Sequence, residues 1–227
     1  MSYRGAVLFD LDGTLVDTAA DFIDVINRMR AEDRLPPADH LLIRNTVSEG
    51  ARGLVRRIFK LDDSDPQFEP QRQRLLDLYA GQLGNEARLF AGFEQLLPAL
   101  EAQDIAWGIV TNKPWRFTEP LLQRLALAPS QAVAICPDHV TTSKPAAEPL
   151  LLAASRLGLA PGQCLYAGDH RRDIEAARNA GMPGIACGFG YIHEDDDIHD
   201  WQADTIVQSV DELAAVIHHH FGLNPHV

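Results

Sequence analysis

Five short runs of continuous apolar residues stand out along the chain. They are Ala6-Val7-Leu8-Phe9, Ile105-Ala106-Trp107-Gly108-Ile109-Val110, Ala132-Val133-Ala134-Ile135, Cys164-Leu165-Tyr166-Ala167 and Gly184-Ile185-Ala186-Cys187. Runs of that length without polar alternation predict strands buried on both faces, as in a parallel sheet. Between them apolar residues recur at spacings of three and four: Phe93, Leu96, Leu97 and Leu100; Leu121, Leu122 and Leu125; Leu150, Leu151, Ala154 and Leu157. That is the period of a helix with one buried face. Strand and helix in alternation predict an α/β domain, a doubly wound parallel sheet of Rossmann-like form with crossover helices on both faces.

Residues 17–84 break the rhythm, because they hold helical patterns and no convincing strand. Asp17-Thr18 is suited to cap a helix carrying Phe22, Val25, Ile26 and Met29. A second helix is marked by Leu54, Val55, Ile58 and Phe59, and a third by Leu75, Leu76, Leu78 and Tyr79. Pro36-Pro37 and Asp62-Asp63-Ser64-Asp65-Pro66 read as connections. The simplest account is a core of residues 1–16 and 85–227 with a small helical domain inserted after the first strand. Such an insertion would lie over the carboxyl ends of the strands, where open α/β sheets bind ligands.

The charge balance narrows the class of partner. The chain of 227 residues carries 32 acidic against 20 basic residues, a formal net charge of −12. A surface of that sign repels nucleic acid and anionic lipid, so neither is an expected partner. An anionic small substrate would need a local positive site, which a bound cation, a lysine and backbone N–H groups can build. No run approaches the length of a membrane span, and Met1 to Asp10 lacks the apolar stretch of a signal peptide. Cys136, Cys164 and Cys187 form no C-x-x-C pair, and two of them sit in apolar runs. Buried thiols in a reducing compartment fit this, and the expected location is the cytoplasm. Monomer and dimer both remain open.

Four small polar motifs fall at the ends of predicted strands: Asp10-Leu11-Asp12-Gly13-Thr14, Thr111-Asn112, Ser143-Lys144-Pro145, and Gly168-Asp169-His170-Arg171-Arg172-Asp173. The fold can bring Asp10 and Asp169 together from different strands. Two carboxylates side by side are costly unless a cation lies between them, and Mg²⁺ is the usual choice where phosphate completes the shell. Lys144 adds a point charge suited to phosphate, and Thr111 and Asn112 offer polar groups to phosphoryl oxygens. A lone Asp after a strand is most often a turn or cap; four such motifs in order carry the argument. Asp138 and His139 suit a loop role or a substrate role, and His218-His219-His220 and Glu194-Asp195-Asp196-Asp197 read as solvated ends and loops.

These motifs resemble those of the haloacid dehalogenase superfamily, over essentially the whole chain. The resemblance implies that Asp10 is a nucleophile that becomes an aspartyl phosphate. Asp12 would protonate the leaving oxygen, then activate water, and its carbonyl would bind Mg²⁺. Thr111 and Asn112 would hold the phosphoryl group, and Lys144 would pair with Asp10 and the phosphate. Asp169 would complete the metal site, with Asp173 supporting it or anchoring Lys144. The insertion would be a helical cap, in which Arg52 and Glu49, on the segment Ser48-Glu49-Gly50-Ala51-Arg52-Gly53 whose glycines bracket Arg52, are candidates for substrate contact. The implied activity is hydrolysis of a phosphate monoester of a small metabolite.

Within the superfamily, residues 107–120 (WGIVTNKPWRFTEP), 136–140, 164–178 and Gly190-Tyr191-Ile192 resemble the N-acetylmuramic acid 6-phosphate phosphatases of bacterial cell-wall recycling, a group commonly labelled phosphoglycolate phosphatase. His170 is the most useful mark, and Ala146-Ala147 a departure from many relatives. The alternatives are phosphoglycolate phosphatase, a β-phosphoglucomutase-like mutase, and a non-enzymatic binding protein. The last should have lost Asp10, Asp12, Lys144 or Asp169, and the chain keeps all four.

Overall fold

A computed structural model describes residues 3–127 and 133–223. Ala132, expected at the start of the third apolar run, lies outside them. The five runs are strands: β1 (Gly5–Phe9), β4 (Ile105–Val110), β5 (Val133–Ile135), β6 (Cys164–Gly168) and β7 (Gly184–Cys187). A sixth, β8 (Thr205–Val207), joins the edge, giving a parallel sheet ordered β5-β4-β1-β6-β7-β8. Alternate residues of β1 feed two cores. Val7 and Phe9 pack with α5 (Phe93–Glu101), α6 (Trp115–Arg124) and α9 (Val210–Phe221). Ala6 and Leu8 pack with α7 (Glu148–Leu157) and α8 (Arg171–Ala180). Burial on both faces is why these strands have no polar alternation.

The chain leaves β1 for β4 and β5 on one side, then returns to β6 on the other. The switch point is therefore the crevice between β1 and β6, where an open α/β sheet places its ligand.

The helical residues between are α1 (Ala19–Glu32), α2 (His40–Thr46), a 3₁₀ turn Val47–Glu49, α3 (Gly50–Phe59) and α4 (Phe68–Gln82). Phe22, Val25, Ile26 and Met29 of α1, and Leu75 and Tyr79 of α4, are buried as their spacing predicts. Phe22 stacks on Tyr79 with ring centres 4.1 Å apart. Two short strands, β2 (Val16–Asp17) and β3 (Arg88–Leu89), flank this group and pair antiparallel, Val16 opposite Leu89 and Asp17 opposite Arg88. The buried Asp21 adds a second tie by accepting from Gly84 N at 2.6 Å and Glu86 N at 2.8 Å.

Several local expectations change. Thr18 stands at the start of α1 without a side-chain cap, because its hydroxyl donates to Asp12 at 2.6 Å. Asp17 lies in β2 and is committed mainly to Arg44, at 2.9 Å, and to the Tyr191 hydroxyl, at 2.6 Å. Burial alone would raise the Asp17 carboxyl, but these partners hold it below its ordinary range. Asp138 accepts from Trp115 N of the helix that starts there, and His139 accepts from Cys136 N within its own loop, so both are engaged in structure. Asp196 pairs with Arg171 and accepts from the Trp201 indole, so the acidic loop is anchored rather than merely solvated. His219 and His220 are exposed at the end of α9, whereas His218 Nε2 is buried without a partner. No described helix is long and apolar enough to cross a membrane.

Candidate active site

The ends of β1, β4 and β6 and the loop after β5 bring the four motifs together. Asp10 follows β1, and its Oδ1 accepts from Leu11 N at 2.7 Å and lies 3.0 Å from Lys144 Nζ. No hydrogen bond from the described residues reaches Asp10 Oδ2, which is left for chemistry. Lys144 is buried, and its ammonium also contacts Asp173 Oδ1 at 2.7 Å, the Tyr166 hydroxyl at 2.7 Å and Val110 O at 2.9 Å. Burial opposes its charge, but Asp10 and Asp173 hold it above the usual lysine range. Asp173 thus anchors Lys144, and its second oxygen accepts from His170 N at 3.0 Å.

Asp169 follows β6 and is fully enclosed by donors: Thr14 Oγ1 at 3.0 Å, Tyr191 N at 2.8 Å and Ser48 Oγ at 2.9 Å. Its closeness to the first loop explains Gly13. That residue sits at φ 87°, and a Cβ there would come within 2.1 Å of Asp169 Oδ2. The motif's glycine is therefore required twice, by backbone conformation and by space.

Oxygens of Asp10, Asp169 and Asp173 all lie within 4.8 Å of one another and are buried. Burial, Asp10 and Asp173 push the Asp169 carboxyl up to about 8. Burial also raises Asp10, with Lys144 opposing and Asp173 and Asp12 adding to it. Fully ionised, the three carboxylates would face one ammonium and leave two negative charges unbalanced in a dry pocket, and the raised Asp10 and Asp169 carboxyls register that deficit. An all-oxygen set with that deficit fits a hard divalent cation. Asp173 is matched directly by the Lys144 ammonium, whereas Asp169 receives only neutral donors and Asp10 keeps Oδ2 open, so Asp10 and Asp169 are the carboxylates suited to a cation.

Asp12 lies two residues beyond Asp10, and a buried lysine that sequence reasoning passed over holds it. Lys113 Nζ is 2.9 Å from Asp12 Oδ1 and 2.8 Å from the Tyr79 hydroxyl on α4. It also sits 5.5 Å from the Phe22 ring centre. Burial works against the Lys113 charge, but Asp12 and Tyr79 keep its ammonium well above the usual lysine range. Thr111 is buried, and its Oγ1 accepts from Lys113 N at 3.1 Å. Asn112 donates its amide to Lys144 O at 3.0 Å and leaves Oδ1 without a partner. Its amide group thus shapes the Lys144 loop.

Above these groups lies a cavity of about 290 Å³, walled by Phe22, Val47, Leu76, Tyr79 and Phe117 as well as by Asp10, Asp12, Thr111 and Lys144. Arg52 and Glu49 line it, but both are engaged within the insertion. Arg52 pairs with Glu69 at 2.8 Å and Asp63 at 3.2 Å, and Glu49 pairs with Arg57 at 2.7 Å. The bracketing glycines explain the turn rather than a contact. Gly50, at φ 72°, starts α3, and a Cβ on Gly53 would meet Glu49 Cβ at 2.2 Å. Arg57 is half-buried and reaches Asp195 of the core at 3.5 Å. His170 caps α8 by accepting from Arg172 N at 3.2 Å, and burial and Arg172 hold its ring down at about 4. Ser48, also absent from sequence reasoning, reaches from the insertion to Asp169 and to Asp12 O, at 3.5 Å.

Comparison with known proteins agrees with this geometry. Residues 7–187 match the haloacid dehalogenase-like hydrolase family. An N-acetylmuramic acid 6-phosphate phosphatase of Pseudomonas aeruginosa is 49% identical over 93% of this chain and 94% of its own length. A phosphoglycolate phosphatase of Xanthomonas campestris pv. campestris is 42% identical over 94% and 96%. The crystal structure of a predicted phosphoglycolate phosphatase from Haemophilus somnus superposes with a TM-score of 0.82 at 26% identity, covering 96% of this chain and 99% of that one. With the motif residues gathered at one switch point and relatives that match from end to end, the chain belongs to the haloacid dehalogenase-like hydrolases and is a phosphatase of that family.

Proposed function

We propose that this chain is a Mg²⁺-dependent cytoplasmic phosphatase that hydrolyses N-acetylmuramic acid 6-phosphate through an aspartyl phosphate on Asp10. The observation that supports it most is the free Oδ2 of Asp10 at the floor of the cavity, beside Lys144 and Asp169. Asp10 attacks phosphorus while Asp12, paired with Lys113 until the incoming ester monoanion passes it a proton, gives that proton to the departing sugar oxygen, so the phosphorus–oxygen ester bond breaks as the acyl phosphate forms. Asp12, now a carboxylate, takes a proton from water as that water releases phosphate. Lys113 and Thr18 keep Asp12 aimed during both steps. Lys144 and Thr111 meet the phosphoryl oxygens. Mg²⁺, held by Asp10, Asp169 and the Asp12 carbonyl, would lower the repulsion between the nucleophile and the anionic ester. Residues 17–84 act as a cap that excludes water, with Ser48 and Tyr79 as its contacts to the core site.

The sugar is favoured over a two-carbon acid by the cavity. Its volume is near the lower edge of pockets that enclose small organic ligands, and its apolar wall has no use in binding phosphoglycolate. Phosphate release from both esters, with Mg²⁺ and with EDTA, tests the reading. The sugar ester should be the better substrate, and EDTA and Asp10→Asn should each abolish turnover. A marked preference for phosphoglycolate overturns the substrate, and an active Asp10→Asn enzyme overturns the mechanism.

A further inference from the structure

Six cationic side chains line the cavity, and they divide by what neutralises them. Lys144 is matched by Asp10 and Asp173, and Lys113 by Asp12. Arg52 is matched by Glu69 and Asp63 while lying over the Phe68 ring, and Arg72 is matched by Glu69 at 2.8 Å. The remaining two have no carboxylate partner among the described residues. Arg116, in the first turn of α6, is exposed and lies over the Phe117 ring at 4.7 Å. Arg172, in the first turn of α8, is half-buried, and its guanidinium contacts only the His170 ring, at 2.8 Å and 3.2 Å. A chain with a net charge of −12 has carboxylates to spare, yet these two arginines face a ligand cavity unmatched.

We propose that Arg116 and Arg172 form a carboxylate-binding subsite that reads a second acidic group on the phosphorylated substrate. The inference rests on the phosphatase reading above and deepens it. The phosphate end is already supplied by Lys144, Thr111 and the cation-binding carboxylates, so two further guanidiniums exceed what a phosphate monoester requires. Both arginines rise from helices that follow the reacting strands β4 and β6, so they are fixed to the core and do not depend on the insertion. A guanidinium offers two parallel N–H donors that match a carboxylate edge to edge, and stacking on Phe117 leaves that edge of Arg116 available. The role expected for Arg52 therefore passes to Arg116 and Arg172.

The test compares N-acetylmuramic acid 6-phosphate with N-acetylglucosamine 6-phosphate, which lacks the lactyl carboxylate. Phosphate release gives the ratio of kcat/KM values. Calorimetry on the Asp10→Asn protein, which cannot turn either ligand over, gives the same comparison as dissociation constants. The wild-type ratio should favour the carboxylated sugar by roughly tenfold or more, the worth of a charge-assisted hydrogen bond. Arg116→Gln and Arg172→Gln should each bring it close to one, Arg116→Lys should fall between, and Arg52→Gln should keep it. Equal handling of both sugars by the wild-type protein overturns the subsite, as does a ratio that survives both glutamine variants or is lost in Arg52→Gln. A wild-type enzyme that hydrolyses neither sugar overturns the functional reading instead, and calorimetry still decides the subsite. A p-nitrophenyl phosphate rate that falls as steeply as the carboxylated sugar's assigns the two arginines to the phosphate and overturns the proposal.

Discussion

Replacing Lys113 with methionine keeps most of the side-chain volume and removes the ammonium. In the folded protein that charge contacts Asp12 at 2.9 Å and the Tyr79 hydroxyl at 2.8 Å, with only 7% of the lysine side chain and 14% of the aspartate exposed. Removing one partner of a buried pair costs about 3–5 kcal/mol, because the other charge stays in place without compensation. Asp12 retains the Thr18 hydroxyl and some solvent, which points to the lower end, about 3 kcal/mol. Asp12→Asn should offset much of that loss when combined with Lys113→Met, since the stranded charge is then gone. Urea denaturation followed by tryptophan fluorescence measures all four corners of the cycle. Coupling of at least about 1 kcal/mol between the two sites is expected, well above the 0.3–0.5 kcal/mol scatter of independent sites. Additive losses, or a Lys113→Met protein as stable as wild type, would falsify the view that this lysine is a buried counter-charge. Activity adds a separate check: Lys113→Met should slow esters of alcohols more than aryl phosphates, because the acid that serves the leaving group loses its support.

Other outcomes follow from the same contacts. Asp12→Asn should leave metal affinity nearly intact, since the backbone carbonyl remains, while turnover of sugar phosphates drops far more than that of p-nitrophenyl phosphate; equal losses on both would make Asp12 a structural residue. Asp17 is held below its ordinary value of 3.8, so its stabilising effect is present above that pH and disappears as pH falls through the depressed value. The difference in melting temperature between wild type and Arg44→Met should therefore be greatest near neutrality and shrink below about pH 4; a difference that does not vary with pH removes Asp17 from the account. Gly13→Ala should destabilise strongly, because the added methyl collides with Asp169 and the backbone stays at positive φ; a variant with wild-type melting temperature would show that the loop yields.

Much of this was legible in order along the chain, and the reasons are physical. Strands buried on both faces have to be continuous in apolar residues, so β1, β4, β6 and β7 announce themselves, and the polar residues that follow β1, β4 and β6 mark the candidate site. β8 escapes because an edge strand of three residues, one of them Thr205, makes no such run. β2 and β3 escape because two residues carry no period. Lys113 looks like a solvated lysine after a strand. Its burial is decided by Phe22 and Tyr79, which lie far away in sequence. Arg52 illustrates the converse. Its local glycines suggest exposure to ligand, while Glu69 and Asp63, brought near by the packing of α3 on α4, take up its charge. Ser48 and Tyr191 touch Asp169 across 121 and 22 residues, and no local pattern foretells either contact.

The ladder of β2 with β3 bears on how the chain manages its own length. β1 and β4 must pair with Gly5 opposite Ile105, a closure that spans the whole helical insertion. Once Val16 meets Leu89, the same closure spans only the short stretches on either side, and the helices between become a side branch of the path. The entropy of joining chain ends grows only as the logarithm of the loop, about 0.6 kcal/mol for each doubling. The ladder itself still has to close that loop, so the insertion's length enters once, there, at this small logarithmic cost. The insertion can thus grow, shrink or be exchanged with little effect on how readily the central strands find each other, which leaves the roof of the cavity free to diversify above an unchanging floor.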